Sequence, residues 1–215
     1  MYVDLLTLYL ITIGTLLASA GLTFWEHRTH PTRSRSLRLL AAGFATLAVG
    51  CTSVLFRADL PAVLGPALSN LVILSGYLLV LNSVASLSGR RYRVRAFALL
   101  AVMALIWLVA GAGGQDLVWK YVSAFPIALV SGLTAWELWR CDSLKAFKTR
   151  YIAVAVAGIH ALIYLGRAFI LPWWVAAHGP SAQLLASNIT MYEGVLYSVI
   201  LPMTLIKLIL SLIHI

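Results

Sequence analysis

Three side chains with usable chemistry, His160, Tyr164 and Arg167, stand at i, i+4 and i+7 within one apolar run. On a helix that spacing puts all three on one face. The next apolar run carries Asn188, Glu193 and Tyr197, and earlier ones bring Arg57, Asp59 and Asn70. A guanidinium captures anions or pairs with a carboxylate, and an imidazole can change charge near neutral pH. The chemistry in prospect is recognition of a small ligand, with Arg167 holding an anionic group. Glu193 would then orient Arg167 or accept a hydrogen bond from the ligand. The competing reading is structural: an Arg167–Glu193 pair that fixes helix packing, or charges that snorkel to an interface. His160 likewise reads either as a titrating group or as a hydrogen-bonded interior residue.

The elements that must position these residues follow from composition. Of 215 residues, 61% are apolar and 11% charged, and the mean hydropathy is +0.93. A soluble domain is roughly half apolar and about a quarter charged, so a soluble core, a disordered chain and a secreted disulfide scaffold are all excluded. The charged residues divide the chain into seven apolar segments, at 5–25, about 39–56, 66–87, 96–112, 121–139, 151–171 and about 186–208. Each can cross a hydrocarbon layer of about 30 Å as a helix. Helices are expected because a spanning segment must satisfy its own backbone, and alternating ten-residue segments of a β-barrel are missing. The fold class is thus an all-α integral membrane bundle of seven transmembrane helices.

Twelve of the 16 Lys and Arg fall in three connections. They are Arg28, Arg33, Arg35 and Arg38; Arg90, Arg91, Arg93 and Arg95; and Arg140, Lys145, Lys148 and Arg150. Basic connections mark the cytoplasmic side, so the N-terminus is expected outside and the C-terminus inside. Trp25, Trp119, Trp136, Trp139, Trp173 and Trp174 fall near segment ends, where interfacial anchors belong. Segment one lacks a basic start and is longer than a signal region, so it is retained as a helix. On this topology Arg167 lies about 25 Å above Arg150, and Glu193 about 21 Å above Lys207. Arg57, Asp59 and Asn70 reach a similar level.

Several chemistries lack their residues. No glycine-rich phosphate loop, paired-histidine zinc signature or nucleophile elbow is present. Cys51 and Cys141 are too far apart to pair and have no metal-ligand neighbours. Retinal attachment needs a lysine deep in segment seven, whereas Lys207 stands at its end. Trp173-Trp174 and His178 only faintly echo a haem-handling loop. The net charge of +9 reflects topology and lipid headgroups rather than nucleic acid. Asn188-Ile189-Thr190 fits a glycosylation sequon but lies at the mouth of a helix. The chain is therefore read with no cofactor, no metal and no catalytic residue.

A set of short motifs adds a resemblance. The chain begins Val3-Asp4-Leu5-Leu6-Thr7-Leu8, and later shows Arg57-Ala58-Asp59-Leu60-Pro61 followed by Leu68-Ser69-Asn70-Leu71-Val72-Ile73-Leu74-Ser75-Gly76-Tyr77. Ser88-Gly89-Arg90-Arg91 and Arg167-Ala168 continue the pattern. Over most of its length the chain resembles the N-terminal membrane sensor region of bacterial GGDEF-type diguanylate cyclases. The resemblance implies a bacterial cytoplasmic-membrane protein that receives a signal and passes it to a cytoplasmic domain joining two GTP, which works as a homodimer. No GGDEF motif occurs in this sequence. The ending, Leu210-Ser211-Leu212-Ile213-His214-Ile215, matches the translation of a transposase mosaic-end sequencing adaptor. Residues 1–209 are thus expected to form the sensor-like domain and 210–215 to be a scar.

The expected function is signal reception at the outer face, passed through segment seven to an output domain. Candidate receiving residues are Arg167 and Glu193, then Arg57, Asn70, His160 and Tyr164. The expected partners are the lipid bilayer and a small outer ligand. Two alternatives stay open: a stand-alone transporter or permease component, and the membrane sensor of a histidine kinase. Conduction needs polar groups through the full depth of a pathway, whereas in this chain they gather in the outer third, with His160 and Asn82 deeper.

Overall fold

Asp4 opens the first helix by accepting the Thr7 N–H at 2.6 Å, an N-cap that meets one of the helix's unpaired donors. That bond holds its carboxyl below the usual range. The computed structural model describes residues 4–29, 34–57, 59–61 and 63–212. Arg33, Ala58, Val3 and the Ile213-His214-Ile215 end of the adaptor-like tail lie outside the described residues. The described residues form eight α-helices: α1 (Leu5–Thr29), α2 (Ser34–Leu55), α3 (Leu64–Leu87), α4 (Arg93–Leu117), α5 (Ala124–Arg140), α6 (Thr149–Phe169), α7 (Leu171–His178) and α8 (Pro180–Ser211). A π-helical turn, Val118–Val122, joins α4 to α5, and a 3-10 turn, Asp142–Leu144, precedes α6. Among the described residues there is no strand.

Six stretches of the described residues are long and apolar enough to cross a membrane, with Arg93–Arg140 counted as one of 48 residues. The sequence divides segments four and five at Gly113-Gly114-Gln115-Asp116, and in the structure the break falls slightly earlier. The chain leaves helical geometry at Gly111, with φ 52° and ψ −156°, and is then hydrogen-bonded onward through the π turn into α5. Both ends of this stretch lie at one end of the bundle, since the Tyr92 hydroxyl reaches Glu137 at 2.7 Å. α4 runs antiparallel to α3: Tyr92 N–H donates to Asn82 Oδ1, and Trp107 Nε1–H to Asn70 Oδ1. Segment six, expected to reach Leu171, ends at Phe169, and Leu171 opens the separate short α7. α8 is longer than expected and runs on through Leu210 and Ser211.

α2 and α3 form the tightest pairing. A methyl group at Gly50 would stand 2.6 Å from Ile73 Cγ1 and 3.0 Å from the Ile73 backbone nitrogen. One at Gly76 would meet Leu47 at 2.6 Å. Only glycine lets these backbones approach so closely, which is how helices pack where lipid offers no hydrophobic drive. Around this pair sits a core that includes Leu37, Leu40, Phe44, Leu74 and Leu81, with Leu201 and Leu205 from α8. The outward faces are also apolar: Leu108, Val109 and Trp173 are each about four-fifths exposed. Such a surface suits hydrocarbon rather than water. Hydroxyls on the helices are quenched locally, as Thr12, Thr46, Ser75, Thr134 and Thr190 each donate to the carbonyl four residues back, satisfying polar groups where no water reaches.

Candidate functional site: an arginine-lined cavity over a buried carboxylate

The basic connections after α1, α3 and α5 gather at one end of the bundle, and the start of α3, the last turn of α6 and the first turns of α8 gather at the other. At this second end a cavity of about 200 Å³ opens among α1, α2, α3, α5, α6, α8 and the π turn. Four of the six candidate residues line it: Arg57, Asn70, Tyr164 and Arg167. Three of them are held by neutral partners. The Arg57 guanidinium lies 4.7 Å from the centre of the Trp119 ring, a cation–π contact. Arg167 Nε–H donates to the Lys120 carbonyl at 3.1 Å. Asn70 is buried and accepts from Trp107 through Oδ1. Among the described residues no carboxylate lines the cavity. Arg57 and Arg167 also line an adjoining space of about 430 Å³, whose rim carries the Asp116–Lys120 pair.

The expected Arg167–Glu193 pair does not form. Glu193 lies deeper and meets His160, with Nδ1 2.8 Å from Oε1 and 2.7 Å from Oε2. The residues of α8 level with Arg167 are instead Ser187 and Thr190. The depth count failed because it set Arg150 and Lys207 at the same height. Glu193 is level with His160, so by helical rise Lys207 lies about 6 Å beyond Arg150. A 32-residue α8 against a 21-residue α6 makes that offset possible. Asp59, expected at the same level as the cavity, sits exposed in the turn after α2 and does not line it.

His160 is 1% exposed and is partnered at both ring nitrogens. Nδ1 lies against the Glu193 carboxylate, and Nε2 lies 2.7 Å from the Tyr77 hydroxyl. Tyr197 stacks on the imidazole with centroids 4.0 Å apart, and the Tyr164 ring stands 4.8 Å from it. This cluster ties α3, α6 and α8 together at mid-depth. Tyr164 belongs both to it and to the cavity wall, so a change in the cavity is one ring away from the His160–Glu193 contact.

Sequence reasoning missed two things at this level of detail. Tyr77 was visible only as part of a motif, although a tyrosine deep in an apolar helix needs a hydrogen-bond partner. Glu137 in α5 was passed over, yet it is the other acid inside an apolar segment and the rule on intramembrane charges flags it. Its carboxylate is wholly buried at the basic end. It accepts from Tyr92 Oη at 2.7 Å and Arg90 Nη1 at 3.3 Å, with Arg140 at 3.9 Å. The Tyr92 hydroxyl is correspondingly raised in pKa, first by the bond to Glu137 and then by burial.

These features define an all-helical protein with several helices able to span a membrane. Comparison with protein-family models, with curated proteins and with solved structures finds no match for the chain.

Proposed function

We propose that this chain is the signal-reception domain of a membrane protein, and that its outer cavity receives a small anion. The observation that carries the reading is the cavity itself: two guanidiniums and two phenols converge there, and none of the described residues lining it is a carboxylate that could neutralise them. A volume of about 200 Å³ falls below the usual range for drug-sized ligands, so the ligand is small. In this reading seven helices cross a bacterial inner membrane with the N-terminus outside, α4 and α5 counting as two crossings. Arg167 and Arg57 bind the anionic group, and Ser187 and Thr190 hydrogen-bond its remaining oxygens. Tyr164 carries the change inward to the His160–Glu193 contact between α6 and α8. Binding shifts the population toward the helix arrangement that the ligand prefers, and α8 conveys this to the cytoplasmic side. An output domain of the diguanylate cyclase kind, acting as a dimer, is the partner suggested by the resemblance in the sequence.

The confinement of the cavity to one end supports reception over conduction. Below it the path is filled by Tyr77, His160 and Tyr197 in contact. The test is calorimetric titration of the detergent-solubilised protein with acetate, succinate, citrate and inorganic phosphate. At least one should bind with a Kd below about 1 mM, and Arg167→Gln should weaken it roughly 10- to 100-fold, as expected for losing about 1.4–2.8 kcal/mol. If none binds, or if Arg57→Gln and Arg167→Gln leave binding as it was, the cavity is not a receptor site.

A further inference from the structure

The basic end holds a second cavity, and its chemistry differs from the first. A cleft of about 430 Å³ lies between α2, α3 and α4. Its walls are apolar, from Leu39, Leu78, Leu79, Phe97 and Leu100, and its rim carries Arg35, Arg90, Arg91 and Arg93. A further space of about 620 Å³ adjoins it, shares Arg90, Arg91 and Arg93, and adds Arg95 and Arg140. Arg90 is already engaged, since it donates to Glu137. Among the described residues no carboxylate lies within salt-bridge distance of Arg35, Arg91 or Arg93. The turn that carries Arg91 and leads into Arg93 at the start of α4 is anchored from below: Asn82 accepts the Tyr92 N–H while its amide donates to the Leu78 carbonyl. Arg90 N–H closes α3 on the Ala85 carbonyl at 2.9 Å.

We propose that this cleft is a specific site for one anionic phospholipid, its phosphate on Arg35, Arg91 and Arg93 and an acyl chain along Leu39, Leu79 and Phe97. Three uncompensated guanidiniums demand negative charge, and phosphate suits the guanidinium fork. The apolar walls lead away from that charge along the helix axes, which a free anion would leave empty. A basic pocket between helices on the cytoplasmic side is where anionic headgroups bind. The lipid would wedge α4 against α2 and α3. α4 needs such support, since of its residues only Met103 and Trp107 are buried by the rest of the protein.

Native mass spectrometry of the full chain, released from detergent with added lipid, tests this. Phosphatidylglycerol should give a singly bound species at a concentration at least tenfold lower than phosphatidylcholine. Substitution of the exposed Arg91 and Arg93 by Gln, with Arg35→Gln, should bring the two lipids level. Lys145→Gln with Lys148→Gln, which removes basic charge from another loop at the same end, should leave the preference intact. Equal binding of both lipids by the native chain would overturn the proposal, as would a preference lost equally in the lysine variant. If glycerol 3-phosphate displaces the lipid at matching concentration, the site takes a free anion and the acyl cleft plays no part, which also overturns it. Because Arg91 and Arg93 are exposed, the Arg91→Gln, Arg93→Gln pair keeps the test open should Arg35→Gln impair folding.

Discussion

Glu137 and Glu193 are both taken out of water inside long apolar helices, and they are compensated by different means. Glu137 is met by two arginines and a tyrosine hydroxyl at the basic end. The side chains of both arginines remain about two-fifths exposed. Glu193 has one imidazole, which is itself buried and bonded beyond to Tyr77. The first carboxylate therefore makes a fixed joint between α5 and the α3–α4 loop. The second, with a single partner, joins α6, α8 and α3, and it is the one adjacent to the arginine-lined cavity.

The largest effect should come from breaking the His160–Glu193 joint on one side only. His160→Ala strands the Glu193 carboxylate and the Tyr77 hydroxyl and opens a void, at a cost of about 3–5 kcal/mol. Thermal unfolding in detergent should show a greater loss for it than for Glu137→Ala, Tyr92→Phe or Asp116→Asn. Adding Glu193→Leu should restore more than half of the loss, because no orphan charge then remains. A double variant as unstable as the single one would mean that shape, and not charge compensation, dominates at this site.

Glu137→Ala should cost less, about 2–3 kcal/mol, since the freed arginines can rehydrate at the interface. If it proves more damaging than His160→Ala, the contrast between the two joints is reversed. Tyr92→Phe sharpens the point at the same site, removing one hydrogen bond for about 0.5–1 kcal/mol. The Tyr92 pKa is raised on folding, so the stability tied to its proton is fully present below about pH 10. It is lost as pH rises through the higher folded value. An alkaline unfolding titration should therefore show a steeper limb for the native chain than for Tyr92→Phe.

Much of this architecture was legible in the chain, and the reason is the length and apolarity of its helices. A spanning helix must be about 20 apolar residues long, so charge alone located α1, α2, α3, α5 and α6 to within a few residues. The i, i+4, i+7 spacing put His160, Tyr164 and Arg167 on one face, and Arg57 and Asn70 do share a cavity with two of them. Vertical register between helices was not legible. It depends on α8 running to Ser211 and on a hand-over through α7, neither of which a hydropathy count contains. That is why Glu193 was assigned to Arg167 when it belongs to His160. The place of the turn between α4 and α5 was only roughly legible: Gly113-Gly114 reads as the break, whereas the backbone departs from helical geometry at Gly111 and a π turn follows before α5.

The smallest effect belongs to a third carboxylate, which separates burial from pairing. Asp116 meets Lys120 at 2.9 Å across one helical turn, and both side chains are substantially exposed. Such an i, i+4 pair in water contributes about 0.3–0.5 kcal/mol and is screened by salt. Asp116→Asn should therefore shift the unfolding midpoint barely at all, and the shift should vanish in high salt. The same salt should leave the His160→Ala penalty in place, because ions do not screen a pair held inside the bundle. Lys120 has a second tie, through its carbonyl to Arg167, and that bond does not need the aspartate. Anion binding in the arginine-lined cavity should then survive Asp116→Asn. Loss of binding in this variant would show that the rim pair positions the π turn and, through it, Arg167.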